Sequence, residues 1–281
     1  MSTLNLSEHF EKLKPNLAIT DSKIGQLVVY RNDSIVSAAI ALFGEYCHAE
    51  VDIMSKYLDS NSIYYDIGTN IGYHAVAVQQ TTGCKVMAFE PHPNHFSVAA
   101  YNCQNKPIQL FHTALGDTEG TMTISDFDET IMGNYGEVGI NEKGIEVPVM
   151  RLDDLPELTS VVTLMKIDVE GAELEVLKGA EQTIDTQRPV IFYEAIDFLV
   201  WNRCMEFLQK KDYKLYWVCC RNKPIAKTFK ESEHNPFGDG GVTNILAVPS
   251  EKEQPENLVE VRLGESFQEM LKRFTGYKLV F

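Results

Sequence analysis

YYDIGTNIGYHAV, residues 64–76, sets Asp66, Gly68, Asn70 and Gly72 on alternate positions between two apolar runs. A core strand has no use for such a series, and glycines weaken a helix interior. It reads instead as a turn leaving one strand, SIYYDIG, and entering a helix, YHAVAVQQ. Outward from there the rhythm continues: KVMAFE as strand, HFSVAAYNCQN as helix, IQLFHTALG as strand. After an interruption come VTLMKIDV as strand, GAELEVLKGAEQTI as helix, PVIFYEA as strand and FLVWNRCMEFLQKKDY as helix, with YKLYWVCC and TNILAVP as closing strands. Strand alternating with helix predicts an α/β fold, a mostly parallel sheet with helices on both faces. Only a loop separates the last two runs, so an antiparallel C-terminal strand is expected.

Three divisions follow. Residues 1–60 form an N-terminal extension with QLVVYR as strand and SIVSAAIALF and AEVDIMSKYL as helices. Residues 61–250 form the main domain, interrupted at about 120–150 by alternating polar and apolar residues with glycine turns, the pattern of a β-hairpin insertion. Residues 251–281 form a tail expected to be helical, with Phe267, Met270, Leu271 and Phe274 at helical spacing. The 1–60 extension and the 264–274 helix are where a homo-oligomer interface is expected.

Composition narrows the function. With 25 basic against 40 acidic residues the net charge is −15, a surface that repels polyanions and argues against a nucleic-acid partner. Six cysteines lack any CxxC or metal-finger spacing, which fits buried thiols in a reducing cytoplasm. The opening MSTLNLSEHFEKLKP lacks the charged-then-apolar design of a signal peptide, and AAIALF is too short to span a bilayer. A soluble, cytoplasmic protein with no membrane partner is expected.

In an open α/β sheet, ligands bind beyond the carboxyl ends of the strands. The second strand ends at Glu90, 24 residues after Asp66, where a carboxylate can accept bonds from two ribose hydroxyls. Pro91 stiffens the exit, and a backbone amide near Ala114, at the third tip, is placed to meet an adenine edge. A dinucleotide site wants GxGxxG, because its middle glycine lets a pyrophosphate approach. Here Asn70 stands in that place, and Asp66 adds a charge that opposes phosphate. Carboxylates suit an ammonium or a sulfonium, and S-adenosyl-L-methionine carries both and no phosphate.

The stretch resembles motif I of the class I S-adenosylmethionine-dependent methyltransferases. Together, YYDIGTNIGYHAV, MAFEPHPNHF, HTALGD, RLDDL and LMKIDVEGAELEVLKGA resemble the FkbM family over roughly residues 45–249. The resemblance implies a Rossmann-like class I methyltransferase sheet with a donor site on Asp66, Gly68, Thr69, Asn70 and Gly72. Glu90, Pro91, Ala114 and Asp168 would complete it. No metal is required.

Lys166, Asp168 and Glu170 alternate on one strand and share a face beside that site. Lys166 is suited to orient a substrate hydroxyl or to steady Asp168. Glu170 and Glu173 also open a helix, where carboxylates cap amides. The catalytic candidates are Asp168, Glu170, Lys166 and His74, the last one turn past the motif. Glu194, His92, His112 and His234 remain alternatives for the base. Asp168, Glu170 and Glu194 could hold a divalent cation, although nothing in their spacing demands one. Segments 125–137 and 231–244 suit either a substrate lid or plain surface loops. The expected activity is O-methylation of a hydroxyl on a sugar or other small metabolite, with a small-molecule or glycan acceptor. The alternatives are an NAD-type Rossmann oxidoreductase and a catalytically silent donor-binding module.

Overall fold

The strand that ends at the quoted turn, Ile63–Ile67, is buried at every position, as a central parallel strand covered on both faces must be. The computed structural model describes residues 6–155, 161–195, 198–221, 228–238, 241–262, 264, 265, 269 and 272. The first elements are α1 (Leu6–Leu13), β1 (Leu17–Ser22), β2 (Gly25–Tyr30), α2 (Val36–Phe43) and α3 (His48–Met54). Next come β3 (Ile63–Ile67), α4 (Tyr73–Thr82), β4 (Lys85–Phe89), α5 (Pro93–Cys103) and β5 (Ile108–Phe111). The insertion brings β6 (Ala114–Leu115), β7 (Gly120–Ile124) and β8 (Ile145–Met150). The chain continues through β9 (Leu164–Ile167), α6 (Glu173–Gly179), α7 (Glu181–Gln187), β10 (Val190–Glu194) and α8 (Phe198–Gln209). It closes with β11 (Tyr213–Arg221), β12 (Gly241–Pro249) and β13 (Val259–Glu260).

One eight-stranded sheet runs β13-β11-β12-β10-β9-β3-β4-β5. From β10 to β5 every pair is parallel, whereas β12 is antiparallel to both its neighbours and β13 to β11. The period of two along each strand divides the core. Tyr64, Leu164 and Phe192 pack on one face with residues of α4 and α5, while Tyr65, Met165 and Ile191 pack on the other with α6 and α8. Strand order reverses at β3, with β4 and β5 on one side and β9 and β10 on the other, so a ligand crevice belongs beyond the tips of β3 and β9. The expected α/β sheet, with its antiparallel C-terminal strand, is what forms.

Several details differ from the sequence reading. IQLFHTALG is two strands: β5 stays in the main sheet, and β6 leaves it to pair with β8 in a separate sheet ordered β6-β8-β7. The change of partner follows Thr113, whose hydroxyl donates to the Pro148 carbonyl at 3.1 Å. β7 and β8 pair antiparallel from Gly120–Val149 to Ile124–Ile145. GAELEVLKGAEQTI is two helices meeting at Ala180. Gly179, just before that junction, lies where a Cβ would be 1.9 Å from the Gly116 carbonyl oxygen.

In the N-terminal segment β2 pairs with β1, LAITDS, a strand the sequence reading left unassigned. The tail begins with the strand β13, ahead of the expected 264–274 helix, whose Phe267, Met270, Leu271 and Phe274 lie outside the described residues. All six cysteines are free thiols, and only Cys219 is less than fully buried. Among the described residues, no helix is long and apolar enough to cross a membrane.

Candidate active site

The tips of β3, β4 and β9 are tied together before any ligand is considered. Gly68 and Thr69 both donate their amides to the Phe89 carbonyl at 3.0 Å, and Asp168 donates its amide to the Ile67 carbonyl at 3.0 Å. Gly68 sits at φ 81°, and a Cβ there would lie 1.7 Å from the carbonyl oxygen of Asp168. Its lack of a side chain therefore lets two strand tips close on one another. Gly72, at φ 83°, would place a Cβ 3.0 Å from Cys103 Sγ, so it serves the packing of α4 on α5 and does not line the cleft.

Beyond these tips lies a cleft with about 1040 Å³ of empty space, part of it open to solvent. Gly68, Thr69 and Asn70 form its floor, and Glu90, Pro91 and Ala114 its side. Glu90 is 4% exposed and accepts the amide of Asn70 at 2.8 Å and that of His92 at 2.9 Å. Lys166, Asp168, Glu170, Glu194 and His74 line the cleft too.

Asp66 is placed differently from the sequence expectation. It is fully buried beneath the turn and outside the lining, accepting Tyr64 Oη at 3.0 Å and Thr69 Oγ1 at 2.6 Å. Its carboxylate shapes the turn and fixes Thr69. Lys166 Nζ stands 4.0 Å from Asp66 Oδ1 and donates to Asp168 Oδ2 at 2.7 Å. Burial works against the Lys166 charge, but the Asp168 and Asp66 carboxylates more than offset it, and the ammonium is held above its ordinary range.

The remaining acids divide by environment. Burial pushes against ionisation of Asp168, yet Lys166 and a bond from Glu194 hold its carboxyl below the usual range. Glu194 moves the other way, raised by burial and by the Asp168 charge. Ionised, it would leave Oε2 buried with no donor; protonated, it can donate to Asp168. Burial first, then Asp168, Glu173 and Glu137, push Glu170 up to about 8. Carboxylate oxygens of Asp168, Glu170 and Glu194 lie within 4.8 Å of one another, close enough to hold a divalent cation between them. Glu170 is also a non-glycine residue at φ 54°, held in a sparsely populated backbone state at the cleft rim. Glu173 lies off the cleft and, at the first position of α6, braces the loop before it by accepting the amides of Val169 at 3.3 Å and Gly171 at 3.1 Å.

Among the histidines weighed as bases, His74 lines the cleft. His92 caps α5 and stacks on Phe127, and His112 stacks on Phe96. His234 is exposed and away from the lining. The two suspected lids also separate. Met122, Ile124, Val138 and Ile140 of the insertion form an apolar wall of the cleft, with Gly136 beside them. Of segment 231–244, the described residues lie off the cleft, and Phe237 packs near Phe43 at 6.1 Å.

Sequence reasoning missed the contribution of the N-terminal segment. Val36 and Tyr46 line the cleft, and Glu50 stands behind His74. The signal was present: Glu50 interrupts the apolar run of AEVDIM, and it is 3% exposed.

Comparison with known proteins bears on the same residues. The domain described as the methyltransferase FkbM domain matches residues 66–215. Hexuronic acid methyltransferase AglP of Haloferax volcanii is 29% identical over 143 residues, covering 50% of this chain and 59% of its own. Methyltransferase sdnD of Sordaria araneosa is 26% identical over 179 residues, covering 50% of this chain and 67% of its own. A crystal structure of methyltransferase FkbM from Methylobacillus flagellatus KT superposes with a TM-score of 0.45 at 17% identity, over 67% of this chain and 44% of that one. The chain thus spans 59% of the length of the Haloferax relative. The matched domain takes in more than half of the sequence and runs from Asp66 through the cluster at the tip of β9, and the protein belongs to the FkbM methyltransferase family.

Proposed function

We propose that this chain transfers a methyl group from S-adenosylmethionine to a hydroxyl of a sugar or another small metabolite. The observation that carries the donor assignment is the fate of the amides in the glycine-rich turn. Gly68 and Thr69 give theirs to Phe89, Asn70 to Glu90, Ile71 to the Asn70 side chain and Gly72 to Thr69. A pyrophosphate site needs such amides unspent. This turn has none to offer, and its nearest side-chain partner is a carboxylate, which supports a phosphate-free adenosine over a nicotinamide dinucleotide.

Bound there, S-adenosylmethionine would supply a methyl group on a positively charged sulfur. The residues present fit it: Glu90 keeps lone pairs for ribose hydroxyls, and the insertion's apolar wall stands beside Ala114 for the adenine. Asp168, kept ionised by Lys166, orients the acceptor hydroxyl, while protonated Glu170 and Glu194 donate to neighbouring oxygens. His74 takes the hydroxyl proton. Alignment of two reactants can contribute effective molarities of about 10⁵ M or more, and a positioned base about 10²–10⁴ in rate. A donor-binding module without activity would have no need of this cluster of charges.

The acceptor class draws support from the name of the Haloferax relative, which identifies a sugar acid as that protein's acceptor. Free, mostly buried thiols fit a reducing cytoplasm as the setting. The test is incubation with S-adenosylmethionine and a panel of neutral glycosides, hexuronic acids and polyols, reading S-adenosylhomocysteine and the methylated product by mass spectrometry. Methyl on oxygen of at least one polyhydroxy acceptor is expected. Tight S-adenosylhomocysteine binding with no turnover on any acceptor would favour the silent module.

A further inference from the structure

We infer that Glu50, which lies outside the matched family domain, is a positioning residue that holds His74 by Nε2 and leaves Nδ1 as the proton acceptor. The inference rests on the proposed hydroxyl methylation and names how its base is prepared.

Glu50 is 3% exposed, and a carboxylate so deep in a protein needs partners. It has two. Asn244 Nδ2, on β12, donates to Oε1 at 2.8 Å, and His74 Nε2 faces Oε2 at 3.3 Å. No Lys or Arg among the described residues forms an ion pair with it. His74 is itself 8% exposed, and its buried Nε2 makes no hydrogen bond of good angle, so the Glu50 carboxylate at 3.3 Å acts on it as a charge. The ring is held between Tyr46 and Tyr73, with centroids 6.0 and 5.6 Å away in edge-on arrangements.

A carboxylate accepts and does not donate, so its charge at 3.3 Å favours the tautomer with the hydrogen on Nε2. In the neutral imidazole the lone pair then belongs to Nδ1. As the acceptor oxygen bonds to the methyl carbon, the sulfur–carbon pair leaves with sulfur as a neutral thioether, and the hydroxyl proton passes to Nδ1. The imidazolium that results is stabilised by Glu50 on one side and by the field of Asp168 on the other. Asn244 lies directly across the strand pair from Glu194, so β10 and β12 hold both the orienting residue's partner and the acid of the cleft in one register.

The test exploits the orientation that Asn244 imposes. In Glu50→Gln the amide oxygen would keep the Asn244 donor, which turns the new NH₂ toward His74 Nε2 and forces the hydrogen to Nδ1. Long-range ¹H–¹⁵N correlation on histidine-labelled protein reads the tautomer without any acceptor, with His74→Gln used for assignment. The expected result is hydrogen on Nε2 in the wild type and on Nδ1 in Glu50→Gln, with unchanged S-adenosylhomocysteine affinity by calorimetry. Hydrogen on Nδ1 in the wild type would overturn the inference even if the variant failed to fold. An unchanged tautomer in a folded variant would overturn it too, because a residue that merely ties α3 to β12 alters melting alone. Failure of the wild type to bind S-adenosylhomocysteine would instead sink the donor reading and leave the tautomer result to be judged by itself.

Discussion

Replacing Lys166 by Met removes the cation on which the floor of the cleft depends. Lys166 is 3% exposed, and its ammonium serves Asp168 at 2.7 Å and the fully buried Asp66 at 4.0 Å. Asp168 keeps 36% of its side-chain surface exposed, so it can turn to water in the cleft and to Glu194. Asp66 has no such route, and the loss falls mainly there. Breaking a buried pair by removing one partner costs about 3–5 kcal/mol. Unfolding entropy near 2.1 cal/mol/K per residue amounts to roughly 0.6 kcal/mol/K here, so Tm is expected to fall by about 5–8 °C. The pH dependence has a definite sign. Asp168 titrates below its unfolded value, so its pairing contributes stability above the usual carboxylate range and loses it as pH falls through the folded value. The gap between wild type and Lys166→Met should therefore be widest near neutrality and shrink below about pH 4, as the Asp168 carboxyl protonates. Melting followed by circular dichroism at pH 7.5, 5 and 3.5 measures it. A variant melting within a degree of wild type at pH 7.5, or a gap that does not narrow in acid, would refute the reasoning.

Other expectations follow from single contacts. Gly68→Ala must displace the Asp168 carbonyl and strain a left-handed residue, and should lose about 3–5 kcal/mol in urea unfolding. Gly171→Ala, also at positive φ but in open space, should lose only about 1–2 kcal/mol, and equal losses would show that contact with β9 is not what constrains Gly68. Glu170 titrates above its unfolded value, so its contribution to stability is full below about 4.5 and is lost as pH rises toward about 8. Glu170→Gln should flatten that slope in a pH series of unfolding free energies, by about 1–2 kcal/mol after solvent screening. Glu90→Ala should weaken S-adenosylhomocysteine binding at least about tenfold, the loss of one or two charge-assisted bonds, and unchanged affinity would remove Glu90 from the donor site.

Much of this was legible in the sequence because two periodicities wrote it there. Strands such as Ile63–Ile67 and Val190–Glu194 are runs of apolar and aromatic residues broken only by an acid at or next to the tip, Asp66 and Glu194, which marks buried parallel strands. Glu90, Pro91 and Ala114 could be placed at the cleft because strand tips in such a sheet converge. Asp66 could not, since the alternation that puts it at the tip does not say which side of the turn it faces, and its bonds to Tyr64 and Thr69 turn it inward. The glycine pattern was seen, but Gly68 answers to the Asp168 carbonyl and Gly72 to Cys103, contacts that are distant in sequence. For the same reason Glu50 and Asn244 were invisible as a pair: 194 residues separate them, and only the docking of α3 beside β12 brings them together.

Calorimetric titration of the purified protein with S-adenosylhomocysteine and, separately, with NAD tests the donor assignment most directly. One saturable site for S-adenosylhomocysteine and no heat from NAD is the predicted result, because every amide of the 68–72 turn is already spent. Saturable NAD binding that displaces S-adenosylhomocysteine would contradict it.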